Sequence, residues 1–126
     1  MAPVIPGLTE HELPAILTAA ARVGAQYAGY VTLRLPHGVA ALFDEWLRYH
    51  VPTKHTKILH RIRALRGGKL NDARFGVRMH GKGVFADHIA ALFALGCRKA
   101  GLQSRDLQLS TAAFRRPTGA QLSLFS

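Results

Sequence analysis

Arg66, Lys69, Arg74 and Arg78 lie close together with the adjacent glycines Gly67 and Gly68, in RGGKLNDARFG and its continuation. Side chains of this type bind oxyanions. A guanidinium presents paired N–H donors, and an ammonium adds a point charge. Neighbouring glycines let backbone N–H groups approach the same anion. Asn71 and Asp72 favour turn geometry, so the stretch reads as a loop. The charge is local. Residues 54–82 hold nine basic side chains and one acid, whereas residues 1–53 hold three basic and four acidic ones. The whole chain has a formal net charge of +10. Such a concentrated field draws phosphates, which makes DNA or RNA the expected partner. A solvated basic face would have the same composition, as would a loop whose charges pair with acids elsewhere.

Other chemistries find little support. One cysteine, Cys97, excludes an internal disulfide framework and any multi-cysteine metal site. On an apolar helix it reads as a small buried hydrophobe. His55 and His60 are five apart, where two ligands on one helical face need a spacing of four. His11 and Glu12 lack the second histidine of HExxH, and RGGK is too short for a phosphate loop. Trp46 reads as a core anchor. No self-contained catalytic constellation emerges. The first residues show no basic region followed by an apolar h-region, and no apolar run reaches transmembrane length. A cytoplasmic chain with no membrane partner is the expectation.

The elements that must hold these residues follow from periodicity. APVI, residues 2–5, reads as an extended segment closed by Pro6 and Gly7. Thr9 and Glu12 have capping-box spacing, and Pro14 suits a first helical turn. Ile16, Leu17, Ala20 and Val23 continue that helix to Gly24. AGYVTLRLP, residues 28–36, reads as a buried strand stopped by Pro36. Val39, Leu42, Phe43, Trp46 and Leu47 mark an amphipathic helix broken by Pro52. A basic helix is expected from Thr53 to Leu65, with Ile58, Leu59, Ile62 and Leu65 on one side. Val84 to Ala100 forms another, stopped by Gly101. The tail from Leu102 to Ser126 has little period.

Strand–helix–strand–helix is the order of a parallel sheet, and both strands are as apolar as central ones. Two strands cannot bury both faces of a sheet. The predicted fold class is therefore α/β: a C-terminal fragment of a partial (β/α) barrel, two strands with helices, followed by a mainly helical extension. A dimer would also supply the missing neighbours.

MAPVIPGLTEHELPAILTAAARVGAQYAGYVTLRLP resembles the last two βα units of a radical S-adenosylmethionine (SAM) barrel. LFDEWL, RALRGGKLNDARFGVRMHGKG, ADHIAALFALGCRKAGL and the terminal QLSLF resemble a narrower branch. That branch is the bacterial radical SAM proteins called DNA repair photolyase-like, related to spore photoproduct lyase. The resemblance covers nearly the whole chain. It assigns residues 1–50 to the last βα units, and residues 51–126 to a basic helical extension with a glycine-rich loop and irregular tail. It implies a parent iron–sulfur enzyme with a [4Fe–4S] cluster and SAM as cofactors. The family's CxxxCxxC motif lies in the N-terminal half and is absent here. Met1 matches an internal position. The chain is thus expected to correspond to the C-terminal third of such an enzyme, inactive alone, with an N-terminal half or self-association completing it.

Within that resemblance, Ile5, Gly7 and Glu10 match an IxGxxE-type element beside the adenine of SAM, with Pro3 in place of the usual leading glycine. Arg34 closes the second strand in LRLP, on the rim where barrel sites lie, and could hold a carboxylate or phosphate. The plainer reading makes Ile5 core, Gly7 a turn, Glu10 a helix cap and Arg34 a strand-end side chain reaching solvent. Three functions remain open: the C-terminal part of a radical SAM enzyme, a small basic nucleic-acid-binding protein, and an oligomerising scaffold.

Overall fold

A computed structural model describes residues 1–103 and 110–115. Most of the 102–126 tail, including QLSLF, lies outside the described residues. Four α-helices form the body: α1 (Leu13–Arg22), α2 (Val39–His50), α3 (His55–Leu65) and α4 (Val84–Ala100). Short 3-10 turns, Glu10–Glu12 and Pro52–Lys54, lead into α1 and α3. No helix among the described residues is long and apolar enough to cross a membrane.

The helices form for the reasons their sequences suggest, with local differences. Pro14 sits in the first turn of α1, where its missing N–H costs nothing. The Thr9 and Glu12 side chains make no cap. The Thr9 hydroxyl instead accepts the Ile5 N–H, so a 3-10 turn precedes the helix. Along α3, Ile58, Leu59, Ile62 and Leu65 are all buried. Along α4, Ala86, Ile89, Phe93, Gly96 and Cys97 make the buried stripe. Gly101 ends α4 in the left-handed conformation. The Leu102 N–H then reaches back to the Cys97 carbonyl at 2.9 Å, and Leu102 itself is buried. This is the Schellman arrangement, which needs a residue without a Cβ penalty at Gly101.

Two hydrophobic cores result. One joins Val4, Leu13, Leu17, Ile89, Phe93, Cys97 and Leu102. Here α1 lies so close to α4 that a Cβ on Gly96 would sit 2.6 Å from Leu17 Cδ1. The other joins Leu35, Leu47, Ile58, Leu59 and Ile62. Each core draws on residues from both sides of position 50.

The expected partial (β/α) barrel with two strands is corrected: the described residues are helical and form no sheet. Of the predicted pairing only one isolated parallel bridge exists among the described residues, Val4 with Thr32; a second bridge joins Tyr27 to Gln103, outside the predicted strands. The Val4 N–H bonds the Val31 carbonyl at 2.8 Å, and the Leu33 N–H bonds the Val4 carbonyl at 2.9 Å. Pro6, two residues after Val4, has no N–H to continue the ladder in that direction. Other groups engage Thr32 and Leu33. The Thr32 N–H and hydroxyl both donate to the Met79 carbonyl, and the Leu33 carbonyl accepts from Arg66. A loop and an arginine stand where another strand would pair.

Candidate functional site

Arg66 follows the last residue of α3 and is 2 % exposed. Its Nη1 donates to the Val77 carbonyl at 2.8 Å, and its Nη2 donates to the Thr32 hydroxyl and the Leu33 carbonyl, each at 2.9 Å. Burial pulls its pKa below the usual arginine value; nearby Asp72 raises it and Arg34 lowers it. A guanidinium nevertheless stays charged in a protein. The residue at the head of the predicted anion site is thus a clamp between three chain segments.

The rest of the predicted loop divides into engaged and free cations. Arg74 is engaged: Asp72 takes its Nε at 3.0 and 3.1 Å and its Nη2 at 2.5 Å. Asp72 also accepts the Arg74 backbone N–H at 3.0 Å, an Asx turn. These hydrogen bonds hold the Asp72 carboxyl well below the usual carboxylate range and raise the Arg74 pKa. Lys69 is exposed, and Gly67 and Gly68 turn beside it with positive φ and open space around them. A cavity of about 440 Å³ is lined by Arg66, Gly67, Lys69, Asn71, Asp72, Ala73 and Arg74. Arg78 lies over the Phe75 ring, 5.2 Å from its centroid, and that ring is 88 % exposed.

Arg61 is also engaged. It pairs with Glu10 at 2.8 Å and lies 5.0 Å over the Phe85 ring. Of the nine cations in residues 54–82, Arg61, Arg66 and Arg74 therefore serve internal contacts. Lys54, Lys57, Arg63, Lys69 and Lys82 are exposed, and Arg78 is partly so. Sequence reasoning placed Arg66 and Arg74 with Lys69 and Arg78; the structure separates them by partner. Asp72, two residues before Arg74, is the sequence signal that one cation would be neutralised.

The residues matched to a SAM-binding element come together in one turn. The Gly7 N–H donates to both Glu10 carboxylate oxygens at 2.8 Å. Glu10 is consequently shared between Gly7 and Arg61, and caps no helix. Ile5 is half-buried, and Arg34 is exposed. No group of three His, Cys, Asp or Glu among the described residues could hold a metal ion.

Ile5 also lines a shallow apolar groove with Pro3, Leu33, Val39, Leu42, Phe43 and Trp46. Sequence periodicity put the α2 members of this set in the core. Only Leu47 of that helix is fully buried, while Trp46 is 42 % and Leu42 67 % exposed. The Phe43 and Trp46 rings stack, 5.8 Å apart, along the groove. The expectation of Trp46 as a core anchor is corrected: its neighbours on this face are too few to cover it. Cys97, in contrast, is buried as expected, and burial pushes its thiol pKa up. Compared with protein-family models, with curated proteins and with solved structures, the chain matches none.

Proposed function

We propose that the chain is the non-catalytic C-terminal part of a radical SAM protein of the DNA repair photolyase-like branch. It works when joined to, or docked against, a part that carries the cluster motif. One observation supports this most directly: the apolar groove formed by Pro3, Ile5, Leu33 and the outer face of α2. An apolar surface with an aromatic pair, uncovered among the described residues, fits an element whose neighbour belongs to another chain. With one cysteine, the chain itself lacks the thiolates a [4Fe–4S] cluster needs. The cluster and SAM chemistry would come from the other part. Ile5 and Gly7 would border the SAM side, with Glu10 held by Arg61.

The test is to read the coding DNA upstream of Met1, then express this chain together with any product carrying CxxxCxxC. The expected result is such a motif in or near the same frame, and a complex that protects the groove. Its absence, or co-expression without association, overturns the proposal.

A second reading is nucleic-acid binding by the isolated chain, favoured by the Phe75–Arg78 pair. An exposed ring beneath a guanidinium is a stacking platform beside a positive charge. Salt-dependent binding of single-stranded DNA that weakens in Phe75→Ala would support it.

A further inference from the structure

A second group of charged side chains lies between α2 and α3. Asp44, on α2, reaches His55, the first residue of α3: Oδ1 lies 2.6 Å from Nε2. Its other oxygen is 2.7 Å from Arg48 Nη2, one turn along α2. The 3-10 turn Pro52–Lys54 makes this reach possible by folding α3 back beside α2. The His55 and Asp44 side chains are only 20 % and 25 % exposed.

A cleft of about 390 Å³ opens next to this group. Ala40 and Ala41 of α2, Leu59 of α3 and Leu70 make its apolar lining, and Arg63 makes another part of the wall. Both oxygens of Asp44, the one acid lining the cleft, are engaged, and Arg63 has no acidic partner among the described residues. The cleft thus pairs an uncompensated guanidinium with a small apolar surface. A volume of this size suits a small molecule.

We propose that this cleft binds a small molecule carrying an oxyanion, phosphate or carboxylate, on an apolar body. Arg63 takes the oxyanion with Arg48 beside it, and the body lies on Ala40, Ala41 and Leu59. Asp44 is a positioning residue, holding Arg48 and His55 in place.

The experiment titrates the full isotope-labelled chain with phenyl phosphate, benzoate and inorganic phosphate at constant ionic strength, following backbone amide shifts. Phenyl phosphate or benzoate, whichever carries the preferred oxyanion, should give saturable shifts at Ala40, Ala41 and Thr56. Inorganic phosphate, lacking the apolar body, should bind at least tenfold more weakly. Arg63→Gln should reduce affinity at least tenfold, and Arg98→Gln, on exposed α4 surface, should leave it unchanged. Arg63 is exposed, so its replacement should leave the remaining amide spectrum intact; Arg48→Gln provides a second variant if it does not. No saturable shift with either aromatic probe overturns the proposal. So does undiminished affinity in both arginine variants, or equal binding of inorganic phosphate.

Discussion

Arg66 Nη2 donates to Thr32 Oγ1 at 2.9 Å, joining the end of α3 to the middle of the 31–33 segment. The same guanidinium satisfies the Leu33 and Val77 carbonyls, so one side chain supplies what a neighbouring strand would supply through its backbone. Its Nε is buried with no partner among the described residues, a cost offset by these three charge-assisted bonds.

Replacing Arg66 should therefore damage the fold. Arg66→Ala leaves two carbonyls and a hydroxyl without that donor, and should cost on the order of 3 kcal/mol in chemical denaturation. Arg66→Lys should recover only part of this, because an ammonium lacks the planar fork. A loss of DNA binding with unchanged stability would show that Arg66 faces a ligand instead.

Asp72 competes with any phosphate for Arg74. Asp72→Asn should raise affinity for single-stranded DNA at low salt and steepen the dependence on salt concentration by about one charge. The carboxyl's folded pKa lies below its unfolded value, so its contribution to stability is present above about pH 4 and is lost as pH falls further. Stability curves of wild type and Asp72→Asn should thus converge in acid. Divergence there would contradict the Asp72–Arg74 pairing.

For nucleic-acid binding, the outward cations should matter more than the engaged ones. Neutralising Lys69 and Arg78 should flatten the salt dependence by about two charges. Neutralising Arg98 and Lys99 on α4 should matter less. Equal losses from both pairs, measured by fluorescence anisotropy, would mean that net charge alone governs binding.

The groove makes the isolated chain sticky. It should bind a hydrophobic dye or self-associate, and Leu42→Glu with Trp46→Ser should reduce dye emission several-fold. Both residues are substantially exposed, so the melting temperature should move little. A dilute, dye-negative monomer of the wild type would remove the argument for a missing neighbour.

Cys97 should resist thiol reagents in the folded chain, because burial both hides the sulfur and disfavours thiolate. Modification should proceed at the rate of unfolding. Anaerobic reconstitution with iron and sulfide should yield no stoichiometric [4Fe–4S] cluster on the monomer.

Sequence by itself determined where the helices run and where they stop. Ile58, Leu59, Ile62 and Leu65 recur at helical spacing and are buried together, and Gly101 stops α4, because periodicity and backbone freedom are local properties. The concentration of positive charge was legible for the same reason. Tertiary structure alone decided what the charges and apolar runs do. Arg66 and Lys69 are three residues apart, yet one is buried against Thr32 and the other meets solvent, because a partner distant in sequence reaches only the first. Residues 2–5 and 28–36 have the composition of buried strands, but their pairing is a single bridge, Val4 with Thr32, while Met79 and Arg66 engage Thr32 and Leu33. Trp46 has the spacing of a core residue and lies half in the open, because burial requires a second surface, which α2's own sequence cannot specify.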